Sequence, residues 1–232
     1  RVTPIADGKT TLHIRVGDHE VAVPIEVQGI SVPAPVSFRR DVMPVLSKAG
    51  CNAGGCHGKA EGQNGFKLSV FGYDPQFDHQ AIISQGRGRR IFPAAPDNSL
   101  LLQKATAQLP HGGGQKIEPN SRWYRLLRRW IAEGITLDEE SADAVVKIVV
   151  EPAVVTLAAK DEQQLRVVAI DSAGRTKPIT AEADFSTNQE AIAGVTREGL
   201  IKATEVPGEA AILVRYLGQV AVCRVVRPRA TG

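Results

Sequence analysis

The stretch FRRDVMPVLSKAGCNAGGCHG, residues 38–58, runs from a helical pattern straight into two of the chain's three cysteines. Ser37 is placed to cap its first turn, and Pro44 falls early enough to be tolerated there. Two more helical patterns follow downstream. NSLLLQKATAQ is preceded by Asp97 as a cap, and RWYRLLRRWIAEG is preceded by Ser121 and stopped by Gly134. In the last pattern Trp123, Leu126, Leu127, Trp130 and Ile131 recur at helical spacing, with Arg125, Arg128 and Arg129 mostly off that face. Residues 36–137 are therefore expected to form a small all-α domain.

The period changes on both sides of it. From Lys9 to Val27 apolar and polar residues alternate around a Gly17-Asp18 turn, the pattern of a half-buried hairpin. Two strands alone are marginal, so residues 1–32 read as the last strands of a β-domain that begins upstream. Residues 32–37, VPAPVS, are a Pro-rich linker. From Val145 onward strands return as VKIVVEP, VTLAA, QQLRVVAID, ADFSTN, GLIKATEV, EAAILVRYL and QVAVCRVV, with turn residues between them. Many short strands at such spacing predict a β-sandwich over residues 145–230. Cys223, in an alternating strand, reads as a buried small apolar residue.

Composition narrows the function classes. With 232 residues, 43% apolar and 23% charged, the chain is an ordinary globular sequence of one to two domains. The net charge of +3 is spread out, with no dense Lys/Arg tract, which leaves nucleic-acid binding without support. No apolar run approaches the roughly 18 residues of a membrane span.

Cys51 and Cys56 enclose Gly54 and Gly55, and His57 follows directly, so two thiols and an imidazole project from one loop. A disulfide between Cys51 and Cys56 leaves His57 unused. A structural zinc site needs four protein ligands, so a distant His must complete it, and adjacent Cys56 and His57 are awkward ligands for one ion. Covalent c-type haem attachment uses all three residues, the cysteines as thioethers and the histidine as axial ligand. The usual spacing has two residues between the cysteines, and here there are four. The larger loop must bulge away from the ring, which Asn52 and the two glycines permit.

Together with PDNSLLLQKATAQLPHGGGQKI and YRLLRRWIAEG, residues 38–58 resemble the cytochrome c domains embedded in large planctomycete secreted or surface proteins, over roughly residues 36–137. The segments VKIVVEPAVVTLAAKDEQQLRVVAIDSAGR and FSTNQEAIAGVTREGLIKAT resemble bacterial group 2 Ig-like domains, and the N-terminal hairpin resembles the tail of another. The fold class implied is multidomain α plus all-β. A small all-α cytochrome c-like domain is followed by an Ig-like β-sandwich and preceded by the hairpin remnant. Also implied are one covalent haem c per chain, a periplasmic or cell-surface location, and electron exchange with a redox partner protein or with adjoining domains of the parent chain.

Cytochromes of this layout carry Met-Pro-Pro in the loop ahead of the last helix, where this chain has Pro110-His111-Gly112-Gly113-Gly114. The resemblance thus implies His57 and His111 as the iron ligands, with His79, Met43 and Lys116 as the other candidates for the distal position. His13 and His19 are too remote. Arg87, Arg89 and Arg90 read either as partners of the haem propionates or as a solvated basic turn. Phe38 and Trp130, with Phe66, Leu68, Phe71, Phe92, Leu101 and Trp123, read either as haem-lining residues or as plain core. Two function classes follow: an electron-transfer module without catalytic residues, or an adhesive, structural module in which haem is accessory.

Overall fold

The structure, a computed structural model, describes residues 4–139 and 144–229. Residues 1–3 and 230, at the ends of the expected domains, lie outside the described residues. The chain divides into two compact units, Arg1–Pro35 and Val36–Gly232. The first is built on one antiparallel hairpin, β1 (Gly8–Val16) and β2 (His19–Val27), in register from Gly8 opposite Val27 to Val16 opposite His19. The expected Gly17-Asp18 turn closes it, with Gly17 at φ 57° as such a turn requires. Its apolar face pairs Leu12 with Val23 and Ile14 with Val21. Ile14, Val16, Val21 and Val23 on this hairpin are exposed.

The second unit begins with short helices. Ser37 Oγ accepts from Arg40 N and starts a π-helical turn, Phe38–Val42, that leads into α1 (Met43–Lys48). Then come α2 (Pro75–Ile83), α3 (Leu100–Ala105) and α4 (Arg122–Ala132). Ser121 caps α4 through Tyr124 N, as expected. Asp97 caps nothing: its carboxylate accepts from Tyr124 Oη and Arg128 Nε, tying the start of α3 to α4. The helices close on Phe38, Val42, Met43, Leu46, Leu102, Leu127, Trp130 and Ile131.

Ten strands follow among the described residues: β3 (Val145–Glu151), β4 (Val154–Thr156), β5 (Glu162–Gln164), β6 (Arg166–Asp171), β7 (Thr176–Pro178), β8 (Asp184–Thr187), β9 (Ala193–Val195), β10 (Leu200–Ala203), β11 (Gly208–Tyr216) and β12 (Gln219–Arg227). They form three sheets of order β4-β12-β11-β8, β3-β6-β7 and β5-β10-β9, which share one core. The expected single strand QQLRVVAID is divided between two sheets, with β5 pairing β10 and β6 pairing β3. The division falls at Leu165, which is buried. Cys223 is fully buried in the same core.

The expected fold class does not hold. Strand makes up 32% of the chain and helix only 19%, and a small all-α cytochrome c-like domain is not part of the architecture. The physical reason lies in the spacing of glycine. Gly50, Gly62, Gly65, Gly72, Gly86 and Gly88 all take positive φ, so α1 cannot continue into residues 50–74 and α2 cannot continue past residue 85. The helical segment and the β-half also belong to one compact unit. Lys48 Nζ donates to Ala183 O at 2.7 Å, and Arg197 Nη2 donates to Lys48 O at 2.9 Å. Arg197 also lies over the Trp123 ring at 4.8 Å, and Arg215 over Phe71 at 4.2 Å. Among the described residues, no helix is long and apolar enough to cross a membrane.

Candidate cofactor site

The local sequence fixes Cys51 first. Gly50, at φ 73°, ends α1. Cys51 N then bonds Leu46 O at 2.9 Å, and Gly50 N bonds Ser47 O at 2.9 Å. This is the paired closure of a helix C-terminus by a left-handed glycine, and it delivers Cys51 just past the last turn. His57 N bonds back to Cys51 O at 3.1 Å, and Gly58 N to Ala53 O at 3.1 Å, which folds residues 51–58 into a closed loop. Gly58 lies so close to the preceding backbone that a Cβ there would stand 2.1 Å from Asn52 O. Glycine is required at 58 rather than at the expected positions: a Cβ on Gly54 or Gly55 would meet nothing.

His57 is held by an Asn-Gly turn. Asn64 and Gly65 both take positive φ, and Gln63 pairs with Phe66 across them. The turn aims Phe66 O at His57, whose Nδ1–H donates to it at 3.0 Å, while the two rings lie 4.5 Å apart. Burial holds the His57 pKa below the ordinary imidazole value. The ring is therefore neutral at pH 7, with its lone pair on Nε2. Burial likewise pushes the Cys51 thiol up to about 11, against the opposing charge of Lys116, so Cys51 carries its proton. Cys51 and Cys56 are both free thiols.

His111 comes from the loop between α3 and α4. Its Nδ1–H donates to Gly114 O at 2.7 Å, which again leaves Nε2 as the free nitrogen. The His57 and His111 ring centroids stand 6.2 Å apart, with the rings within 13° of parallel.

Both imidazoles line a cavity of about 630 Å³ that also takes in Cys51 and Cys56. Leu46, Phe66, Leu68 and Leu101 supply apolar wall, and the charged lining consists of Arg89, Arg90, Lys104 and Lys116. Arg90 is buried, donates to the carbonyls of Ala81, Gln85 and Gly65, and lies over Phe66 at 4.3 Å. It thereby braces the residue that holds His57.

Of the residues singled out in the sequence, Cys51, Cys56, His57, His111, Arg89 and Arg90 meet at this cavity. Phe38 and Trp130 do not. They are fully buried in the helical core with ring centroids 5.1 Å apart, and an apolar residue carries no sequence mark that separates pocket wall from core. His79 is neither a surface residue nor a cavity residue: it is buried edge-on to Phe38 and its Nε2–H donates to Ile135 O at 2.7 Å. Met43 is core, with its Cε against Gly72. Arg87 is exposed and lies outside the cavity lining. Lys104 and the bracing carbonyl of Phe66 escaped the sequence reading, although Asn64-Gly65 signals the turn that places Phe66.

The donor set suits haem. His57 and His111 line the same cavity with ring centroids 6.2 Å apart, and each keeps Nε2 free as a donor nitrogen. Among the described residues no group of three or more His, Cys, Asp or Glu converges as a metal cluster. The donors that line the cavity are two imidazoles and two thiols, the residue types that covalent haem would use. No known family model and no curated protein matches the chain.

Proposed function

We propose that this chain binds one haem covalently through Cys51 and Cys56, holds its iron between His57 and His111, and acts as a one-electron carrier. The observation that supports this reading is the pair of near-parallel imidazoles 6.2 Å apart, each with Nδ1–H committed to a backbone carbonyl and Nε2 left free. Bound there, haem supplies a single-electron couple whose potential depends on its axial ligands and surroundings.

The chain's own residues do the rest. His57 and His111 would both hold the iron of a bound haem, an arrangement that would favour electron exchange over substrate turnover. The Phe66 carbonyl sets the His57 tautomer and orientation, and Arg90 braces Phe66. Arg89 stands at the cavity to meet the haem carboxylates. The partner is a redox protein or an adjoining domain of the parent chain. With the reading goes an extracytoplasmic location, periplasmic or cell surface, because thioether attachment is carried out there.

The test is expression with a c-type maturation system. The denatured protein should carry the added mass of one haem, and its pyridine haemochrome spectrum should be that of a haem with both vinyl groups saturated. A polypeptide mass without haem, in cells that mature a control cytochrome, refutes the assignment.

A further inference from the structure

The two imidazoles are anchored unequally. His57 sits in a loop bonded at His57 N to Cys51 O, at His57 O to Leu68 N and at Nδ1 to Phe66 O. His111 sits in residues 110–116, and among the described residues the bonds that fix this segment lie at its ends: Lys104 Nζ to Pro110 O, and Lys116 N to Ala105 O at 2.8 Å. Between those ends the bonds are internal, His111 Nδ1 to Gly114 O and Gly114 N to His111 O, apart from one long bond from Gln115 Nε2 to Ile117 O at 3.5 Å. Gly112, Gly113 and Gly114 are exposed. The segment can lift as one piece, carrying His111 with it and breaking none of the bonds that hold His57.

We propose that residues 110–116 are a displaceable flap over the cavity, and that a small anion takes the place of His111 when the flap lifts. The charge of the cavity selects the anion. Its lining carries Arg89, Arg90, Lys104 and Lys116 and, among the described residues, no Asp or Glu. Those four cations outnumber the two carboxylates of haem, so the cavity stays positive when haem is bound. The inference rests on the haem reading above and adds a ligand class to the same site.

Haem-loaded ferric protein, its loading first established by mass, is mixed with azide as the anionic probe and nitric oxide as the neutral one, and ligation is followed by absorption. Both rates should level off with rising concentration at one shared limit, the rate of flap opening. His111→Ala should remove that limit. Raised salt should weaken azide and leave nitric oxide unchanged. Lys116→Gln should weaken azide roughly threefold, the order of factor that loss of one lining cation produces in a water-like dielectric, without affecting nitric oxide. The proposal is overturned if the spectrum resists both probes at large excess, if the two limits differ, or if Lys116→Gln weakens both probes equally. Loaded protein that gives any of these results sinks the flap alone, whereas protein that cannot be loaded sinks the haem reading with it.

Discussion

Replacing Gly58 by alanine tests the geometry of the cysteine loop directly. The added Cβ would lie 2.1 Å from Asn52 O and 2.9 Å from Ala53 O, and both obstacles are backbone, which cannot rotate away as a side chain can. Relief requires residues 52 and 53 to move by more than an ångström relative to Gly58. That movement sacrifices the bonds His57 N to Cys51 O and Gly58 N to Ala53 O, worth about 1 kcal/mol each, and adds overpacking strain of roughly 1–3 kcal/mol. A loss of about 3–5 kcal/mol in a unit of this size lowers the melting temperature by roughly 6–20 °C. The control is Gly55→Ala, where a Cβ meets nothing and φ is not positive; it should stay within about 0.5 kcal/mol of wild type. Thermal unfolding by circular dichroism reads stability, and denaturing mass spectrometry after maturation reads haem stoichiometry. Gly58→Ala should lower both. If Gly58→Ala melts within a degree of Gly55→Ala and loads haem equally well, the closed loop does not exist as described.

Three more outcomes are expected. Burial pulls Lys48 down from 10.5 to about 8, so between those values the unfolded chain holds more protons than the folded one; the residue costs stability below pH 8, and the cost fades as pH rises toward 10.5. Lys48→Met should match or exceed wild type in urea unfolding at pH 7 and flatten the rise in stability toward pH 10, and an unchanged slope counts against it. Burial pushes Asp78 up to about 6, against the two Ser69 donors, so the fold favours its protonated form, a contribution present below about pH 4 and lost as pH rises through 6. Asp78→Asn, which can still accept from Ser69 N, should gain up to about 3 kcal/mol at pH 7.5 and nothing at pH 3.5; an equal gain at both values refutes the assignment. His111→Met should raise the haem midpoint potential, because a thioether favours the ferrous form relative to imidazole, and an unmoved midpoint in redox titration removes His111 from the iron.

What the sequence revealed was local. Cys51, Cys56 and His57 are neighbours in the chain, so their meeting in one loop is legible without knowing the fold. The caps at Ser37 and Ser121 rest on the same short range, as does the Gly17-Asp18 turn. Asp97 carried the same local signal and was drawn instead to Tyr124 and Arg128, partners 27 and 31 residues away. The helix α2 went unseen although Asp74, which accepts from Phe77 N, stands before Pro75 at its first position. The expected all-α domain failed because three short helical patterns say nothing of what they pack against, and the helices share one compact unit with a larger β-half. Phe38 and Trp130 failed as cavity residues for a different reason: which wall of a helix bundle opens to a cavity depends on how the helices are oriented, which composition and periodicity leave undetermined.

The junction at the end of α1 ties the segment that leads into the cysteine loop to the β-half. Lys48 gives its ammonium to Ala183 O, just before β8, and its carbonyl to Arg197, in the turn between β9 and β10. Three residues later the chain reaches Cys51. At the other end of the same helical run, Ser37 Oγ donates to Asp138 at 2.7 Å, and Arg39 N donates to Asp138 at 3.1 Å. The segment that presents the first thiol is therefore fixed at its start by the residues after α4 and at its finish by the β-half. A short helix of six residues has little stability of its own, so its position is set by those outside contacts. Cys51 thus takes its place from contacts at both ends of residues 37–48, made before the cysteine loop begins.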